Sequence, residues 1–264
     1  MEKKNMVSQA TEKVLFERDG KVGIVRLNRP RIMNCLDPDT LGQLRGHFEF
    51  ARSEKRIRVL LVCGNGRAFS AGADLKYAKD KDAEALRAFN QVGLVDAFHY
   101  IQKFPKPTIA VVDGYALGGG LELALSCDFR FASKEHAIFG FPEIDLGILP
   151  TWGGMYLPLE IIGTARTLEI VLTGARIDAD TAYKMGLVHK VFPHEDLFKE
   201  ALSFAKILAR KGSFLLQLGK HIIKNSIMAD DEERLRLSTL ASDLIRAGEQ
   251  GEARLNALLD EEKS

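Results

Sequence analysis

The chain has 264 residues, of which 46% are hydrophobic and 28% charged, a composition typical of a soluble globular protein. Lys plus Arg total 37 and Asp plus Glu total 36, so the formal net charge is +1. This balance argues against a dedicated nucleic-acid-binding protein, which normally carries a clear basic excess. No apolar run approaches the ~18 residues needed to cross a membrane, and the first residues lack the apolar stretch of a signal peptide. We therefore expect a cytoplasmic protein with neither a nucleic acid nor a membrane as partner.

The chain begins with a predicted β-hairpin. The segments VLFER (14–18) and KVGIVRLN (21–28) alternate in character, as strands with one buried face do. Asp19 and Gly20 separate them, and an Asp-Gly pair is a strong hairpin signal.

A helix and two buried strands follow. Asp37 before Pro38 is typical of a helix start, and apolar residues at helical spacing extend the predicted helix over 38–54. RVLLVCG (58–64) and PTIAVVDG (107–114) are continuous apolar runs, which indicate strands covered on both faces.

The second half repeats strand, glycine turn and helix, and the chain after Pro193 looks helical to its end. We predict an α/β core over 1–195 and a helical region over 196–264 that serves oligomerisation. The alternative is that this region only covers the core of its own subunit. The predicted elements of this half are a helix at 119–126, strands at 128–133 and 137–143, helices at 153–162 and 164–173, and a strand at 186–192.

Several site types find no support in the sequence. Cys35, Cys63 and Cys127 are far apart and lie in apolar contexts, so we expect buried, reduced thiols. The six histidines form no HExxH motif, which disfavours a metal site. Ser70 does not lie in a GxSxG motif, and there is neither a GxxxxGK[ST] nor a GxGxxG loop.

Three segments depart from ordinary core or surface patterns: GRAFSAGADLK (66–76), DGYALGGGLELALSCD (113–128) and FGFPEIDLGILP (139–150). Gly118 to Gly120 open a short apolar helix, where glycines let the backbone approach a ligand and free N–H groups attract anionic oxygen.

Two glutamates in these segments have apolar neighbours. Glu122 lies in GLELAL and Glu143 in FPEIDLG, so burial should raise the pKa of each carboxyl toward the range that general acid/base catalysis needs. The alternative is that each glutamate pairs with a buried arginine or a backbone amide. Asp145 could also be the functional group, or could only accept a loop hydrogen bond.

Taken together, these motifs resemble the enoyl-CoA hydratase/isomerase (crotonase) family over residues 14–195. The segments that carry the resemblance, in matching order and spacing, are NRP (28–30), AFSAGADLK (68–76), GYALGGGLELALSCD (114–128), FGFPEIDLGILP (139–150) and LTGARIDADTAYKMGLVHKVF (172–192).

The resemblance implies a fold, an assembly and a ligand. The fold would be α/β, a crotonase-like spiral of ββα units with a C-terminal helical trimerisation region. The assembly would be a homotrimer or a dimer of trimers. The ligand would be an acyl-CoA, with no metal and no cofactor because coenzyme A is part of the substrate. Its carbonyl oxygen would lie between the backbone N–H groups of Ala73 and Gly119, and Ala73, Asp74, Leu75 and Lys76 would line the coenzyme A path.

The resemblance also implies a reaction. The positions matching Glu122 and Glu143 hold a water between them in the family's hydratases, whereas isomerases can work with the match of Glu143 alone. Both glutamates together favour reversible hydration of a 2-enoyl-CoA to a 3-hydroxyacyl-CoA. The alternatives are an enoyl-CoA isomerase, a specialised dehydratase such as one acting on carnitinyl-CoA, and, with less support, a non-catalytic CoA- or RNA-binding relative.

Two aromatic residues depart from the common family pattern. Phe141 and Trp152 should narrow the acyl pocket, which predicts a preference for short, cyclic or otherwise compact acyl groups. The alternative for Trp152 is that it only packs against the helix predicted at 153–162.

Overall fold

A six-stranded sheet frames the fold in the computed structural model, which describes residues 12–227 and 229–261. Its strands, given in spatial order, are β1 (Val14–Asp19), β2 (Val22–Leu27), β3 (Val59–Gly64), β5 (Thr108–Val112), β7 (Phe129–Ser133) and β10 (Lys190–Phe192). β1 and β2 are antiparallel, and every other neighbouring pair is parallel. The predicted hairpin is confirmed, with Asp19 paired to Val22 so that Gly20 and Lys21 form its loop.

A second, smaller sheet stands beside the first. Its strands, in spatial order, are β4 (Ala68–Ser70), β6 (Tyr115–Leu117), β8 (Ile138–Gly140) and β9 (Arg176–Asp178), with β9 antiparallel to β8. β3, β5 and β7 of the large sheet are each followed by the next strand of the small sheet. The chain therefore winds between the two sheets, which is the predicted spiral architecture.

Eleven α-helices and one π-helical segment, Val92–His99, are formed by the described residues. The predicted start of the first helix is confirmed, because the Asp37 side chain accepts a hydrogen bond from the N–H of Thr40 at 2.8 Å. The α-helices are α1 (Pro38–Ser53), α2 (Leu75–Ala78), α3 (Ala83–Gln91), α4 (Tyr100–Gln102), α5 (Gly119–Ser126), α6 (Leu157–Thr173), α7 (Ala179–Met185), α8 (His194–Ala209), α9 (Ser213–Ser226), α10 (Asp231–Arg246) and α11 (Glu249–Glu261).

Three predicted boundaries in the second half of the core differ from the structure. The strand predicted at 137–143 ends at Gly140, and a 3-10 helix over Pro142–Leu146 follows it. The predicted separation of two helices at residue 163 is confirmed, because Gly163 within α6 has a non-helical backbone with φ 76° and ψ 170°, but the first of the two parts starts at Leu157 and not at residue 153. Residues 153–156 are a turn instead. The strand predicted at 186–192 is confined to β10, because Gly186 caps the end of α7 and the N–H groups of Leu187 and Val188 donate to the carbonyl oxygen of Ala182.

The large sheet has apolar cores on both faces, which explains its continuous apolar strands. One core holds α1, α5 and the π-helical segment, and α8 covers the opposite face with Leu197, Ala201, Ala205 and Ala209. The predicted core boundary at residue 195 therefore falls in the first turn of a helix that belongs to the core. The C-terminal helical region outside this core begins with α9.

The helices α9, α10 and α11 form a small apolar cluster of their own around Leu218 and Leu244. A salt bridge joins this cluster to the large sheet: Nζ of Lys220 lies 2.6 Å from Oδ2 of Asp128, and Asp128 also accepts from the N–H of Thr108 at 2.9 Å. The helical region is thus attached to its own subunit, while its apolar cluster remains separate from the two cores of the large sheet.

The described residues also bear on the expected absence of a membrane span and on the three cysteines. Within it, no helix has both the length and the apolar character needed to span a membrane. Cys63 and Cys127 are buried and free as predicted, whereas Cys35 is only half-buried.

Candidate active site

The parallel strands β4, β6 and β8 end at the same edge of the small sheet, and three loops meet there. The loop after β4 carries Ala73, the turn after β6 leads into Gly119, and the segment after β8 carries Glu143. A backbone bridge between Leu36 and Ala73 fixes the first loop. The small sheet therefore gathers residues that are distant in sequence.

Two backbone N–H groups face each other closely in this region. A Cβ built on Gly119 would lie 3.4 Å from the backbone N of Ala73, and one built on Gly72 would lie 2.9 Å from the N of Gly119. Gly72 and Gly118 both have positive φ, which only glycine adopts readily. Among the hydrogen bonds of the described residues, neither the N–H of Ala73 nor that of Gly119 has a protein acceptor. Paired free donors of this kind suit an oxygen that gains negative charge.

Glu122 lies in the first turn of α5 and is 2% exposed. Its Oε1 accepts hydrogen bonds from the N–H groups of Trp152 at 2.7 Å and Gly154 at 2.8 Å. Burial raises the pKa of Glu122 to about 8; the nearby Glu143 also raises it, whereas the two amides act against this rise. The backbone pairing considered as the alternative is thus present, and it coexists with a strongly perturbed carboxyl group.

Glu143 lies in a short 3-10 helix, Pro142–Leu146, directly after β8. Its Oε1 fills the space beside Gly118, where any Cβ would collide with it. Its Oε2 is buried and has no hydrogen-bond partner among the described residues. Burial raises the pKa of Glu143 to about 7. Buried carboxyl oxygens normally have a hydrogen-bond partner. The free Oε2 of Glu143 therefore indicates that a ligand or a water molecule is its hydrogen-bond partner.

The ADLK stretch divides into two parts. The carboxylate of Asp74 is buried; it caps α2 by accepting from the N–H of Tyr77 and pairs with Arg29 at 3.0 Å. Leu75 and Lys76 are exposed and free to line a ligand path. Asp74 can therefore contribute backbone atoms to such a path, while its side chain holds the loop.

Arg29 is a residue whose importance the sequence did not reveal. Its guanidinium contacts both Asp74 and Asp37, the latter at 3.1 Å, and donates to the carbonyl oxygen of Cys35 at 2.6 Å. These bonds link the NRP segment to the loop that carries Ala73. The motif itself was visible in the sequence, but its partners lie up to 45 residues away.

Trp152 is 3% exposed and its indole ring lies against Gly119: a Cβ on Gly119 would be 3.0 Å from Cε3 of the ring. The ring packs edge-on against Phe89 and Phe98, and its Nε1 donates to Oδ1 of Asn90 at 3.1 Å. Gly93 of the π-helical segment leaves room for it. The alternative, that Trp152 only packs against the helix predicted at 153–162, is therefore wrong. Trp152 packs against the helical stretch 83–99 and the turn at Gly119.

Phe141 is completely buried in the main core. Its Cε1 would lie 2.8 Å from a Cβ on Gly154, the residue whose N–H binds Glu122. Phe141 therefore packs against Gly154 and supports the loop whose N–H groups bind the Glu122 carboxylate. The double glycine after Trp152 was the signal in the sequence that could have indicated this close approach.

The chain is similar to known proteins over most of its length. The family model for enoyl-CoA hydratase/isomerase matches residues 17–247. The chain is 32% identical to a crotonyl-CoA hydratase of Syntrophomonas wolfei over 97% of this chain and 98% of that protein. It is 39% identical to a 2,3-dehydroadipyl-CoA hydratase of Escherichia coli over 81% and 82% of the two chains. A crystal structure of an enoyl-CoA hydratase from Bacillus anthracis superposes with a TM-score of 0.87 at 31% identity, covering 95% and 97%.

Proposed function

Because the chain belongs to the enoyl-CoA hydratase/isomerase family, we propose that it catalyses the reversible addition of water to a 2-enoyl-CoA, giving a 3-hydroxyacyl-CoA. The observation that carries this proposal is the pairing of two carboxyl groups with raised pKa values, those of the buried Glu122 and the half-buried Glu143, with the two free N–H donors of Ala73 and Gly119.

The two N–H groups would act on the thioester carbonyl. Attack of water on the β-carbon moves negative charge onto the carbonyl oxygen, and fixed donors stabilise that charge without reorganisation. Loss of one such donor typically costs ~10²–10³ in rate. Ala73 and Gly119 therefore form the oxyanion hole, and the glycines around them permit the close backbone approach.

The two carboxyl groups would move the protons. We assign the proton of the attacking water to Glu122, because two backbone amides fix its Oε1 and stabilise its ionised form. We assign the proton delivered to the α-carbon to Glu143, whose Oε2 has no donor and whose protonated form burial favours. These steps need neither a metal nor a redox cofactor, and coenzyme A enters as part of the substrate.

Hydration is favoured over double-bond isomerisation because both carboxyl groups are in place, whereas a single carboxyl suffices to shuttle a proton between two carbons. The test is a panel of 2-enoyl-CoA and 3-enoyl-CoA substrates, followed by the absorbance of the conjugated enoyl thioester and by product identification. Hydration of at least one 2-enoyl-CoA, lost in Glu122→Gln, is the expected result. A shift of the double bond without any hydrated product would support the isomerase instead.

The acyl group should be compact. The indole of Trp152 lies against the Cα of Gly119, so it occupies space next to the position of the thioester carbonyl. The Syntrophomonas wolfei relative is named for crotonyl-CoA, a small acyl thioester, which supports the same preference. We expect kcat/KM to fall as the length of the acyl chain of the substrate increases.

The assembly should be a homotrimer or a dimer of trimers in the cytoplasm. The helices α9 and α10 leave large apolar side chains exposed although they already form an apolar cluster with α11; these are Leu215, Ile223, Leu235 and Ile245, each more than half exposed. The three free thiols fit a reducing compartment. Light scattering at micromolar concentration should give a trimeric or hexameric mass, and a monomeric mass would contradict the proposal.

A further inference from the structure

Three polar side chains meet on the surface at one end of the large sheet, apart from the two catalytic carboxyl groups. Asp113 follows β5, His136 lies in the turn between β7 and β8, and His194 is the first residue of α8, just after β10. β5, β7 and β10 are neighbours in the sheet, so the three residues stand side by side although they are far apart in sequence. Because these residues are far apart in the sequence, no compact histidine motif indicates their proximity.

The ligand atoms of these residues are close together. Nδ1 of His136 lies 3.2 Å from Oδ1 of Asp113, and Nδ1 of His194 lies 2.9 Å from Oδ2 of the same carboxylate. All three residues offer one nitrogen or oxygen within 4.8 Å of the others. Tetrahedral zinc bonds of 2.0–2.1 Å place neighbouring ligand atoms about 3.3 Å apart. The spacing already present therefore suits a small divalent ion.

Hydrogen bonds from backbone N–H groups hold the segments of the two histidines together. The N–H of His194 donates to Oε2 of Glu135 at 2.9 Å, and the N–H of Lys134 donates to the carbonyl of Phe192 at 2.9 Å. These bonds tie the turn that carries His136 to the start of α8. The rings of His136 and His194 are 4.4 Å apart between centroids. Little rearrangement is needed for both nitrogens to reach one ion.

The charge of the surroundings also favours a cation. Asp113 supplies a carboxylate in direct contact, Glu135 lies one bond away through the backbone of His194, and the first turn of α8 carries Glu195 and Asp196. Two neutral imidazoles and one carboxylate leave a divalent ion with a net positive charge, which these outer carboxylates offset.

We propose that Asp113, His136 and His194 form a binding site for a divalent transition-metal ion of the zinc class, separate from the catalytic centre. The ion binds Nδ1 of both imidazoles, whose protons then reside on Nε2, and one oxygen of Asp113. The half-exposed histidines leave the remaining coordination position to water. Imidazole and carboxylate ligands in tetrahedral geometry are the usual donors to zinc.

The site would fasten three separate parts of the fold. It would join the end of β5, the β7–β8 turn and the start of α8, so metal binding should stabilise the folded state by mass action. It contains none of the residues assigned to the hydration reaction, and basal activity should not depend on it.

The test uses the full-length chain without an affinity tag, freed of metal with a chelator. Equilibrium dialysis against Zn²⁺ should give one ion per chain, and Co²⁺ should give visible ligand-field absorption. His136→Gln and His194→Gln should each weaken Zn²⁺ binding by at least about tenfold, the lower end of what even outer-shell changes cost. The control His99→Gln removes another exposed histidine and should bind as the wild type does.

The melting temperature supplies a second readout. Zn²⁺ should raise it in the wild type and in His99→Gln, but not in the two site variants; circular dichroism without metal should show that all four proteins fold alike. Absence of stoichiometric Zn²⁺ binding would overturn the proposal. Binding that survives both site variants would also overturn it, because the ion would then lie elsewhere, for example at the half-buried Cys35.

Discussion

The backbone N–H of Trp152 donates a hydrogen bond to Oε1 of Glu122 at 2.7 Å, while its indole lies against Gly119. One residue therefore touches both halves of the proposed chemistry: its backbone orients an acid/base carboxyl, and its side chain limits the space beside the oxyanion hole. Because these contacts come from different atoms, side-chain replacement should separate acyl selectivity from catalysis.

The first prediction concerns that separation. Trp152→Ala keeps the N–H donor but removes the ring, so the optimum of kcat/KM should move to longer acyl chains with the carboxyl pair still oriented. Phe141→Ala should instead destabilise the protein by about 3–5 kcal/mol, the usual cost of emptying a buried aromatic site, because Phe141 is fully buried. Profiles of kcat/KM against acyl length and urea unfolding distinguish the two effects. A wild type that already prefers chains of ten or more carbons would contradict the compact pocket.

A second prediction concerns the carboxyl groups. Glu122→Gln and Glu143→Gln should each lower kcat by at least ~10²-fold, the scale of general acid or base catalysis, with KM changed far less. Asp145→Asn is the matched control, since Asp145 lies in the same 3-10 helix but is exposed. Its kcat should stay near that of the wild type. Near-normal turnover in either glutamine variant would show that its role is misassigned.

The pH dependence of stability gives a third prediction. Burial raises the pKa of Glu143 to about 7 and that of Glu122 to about 8, from 4.5. The folded state therefore binds these protons more tightly than the unfolded state. Their contribution is fully present below about 4.5 and is lost as the pH rises to about 8, so the free energy of unfolding should fall over this range.

Urea unfolding of the wild type and of Glu122→Gln isolates this effect. The wild type should lose up to ~1.4 kcal/mol more per pH unit than the variant, the value for one proton. Taking the difference cancels other groups such as His189, whose pKa burial lowers to about 4. Parallel curves for the two proteins between about pH 5 and pH 8 would mean that Glu122 is ionised throughout.

The fourth prediction concerns the attachment of the helical region. Lys220→Met keeps the apolar stem but removes the closer of the two cations that pair with Asp128, at 2.6 Å, and breaking a buried pair of this kind costs up to about 3–5 kcal/mol. Lys224→Met is the control, because Lys224 is more exposed and lies 4.0 Å from Asp128. Hydrogen exchange should show faster opening of α9 to α11 in Lys220→Met only. Equal stability of the two variants would indicate that apolar contacts alone hold the region.

Local signals in the sequence were sufficient for much of the fold. The Asp-Gly turn, the Asp37 cap and the double-sided apolar strands each depend on neighbouring residues, and each was confirmed. The kink at Gly163 was foreseen as a break between two helices. The structure confirms this break, because Gly163 has φ 76° and ψ 170°, a non-helical conformation that separates the two parts of α6.

Features that depend on distant residues could not be predicted. Nothing near Trp152 in the sequence indicates that Gly93 and Asn90 receive its ring, and nothing near Lys220 indicates Asp128, 92 residues earlier. The candidate glutamates were found because apolar neighbours signal burial, which is a local property. Which partners satisfy each glutamate, two amides for Glu122 and none for Oε2 of Glu143, depends on loops that only the folded chain brings together.

The small sheet has a consequence for how this chemistry can vary. The segments that follow its strands β4, β6 and β8 carry the proposed catalytic groups. Ala73 follows β4 and offers an amide donor, Gly119 and Glu122 follow β6 and offer a second donor and a carboxyl group, and Glu143 follows β8 with the other carboxyl group. The loop at 148–156, which carries Trp152, leaves these strands untouched. A mutational library in that loop that keeps Gly154, whose N–H binds Glu122 and which has no room for a Cβ, can therefore explore acyl groups while the backbone donors to Glu122 stay in place. A change at one strand end instead alters the reaction itself.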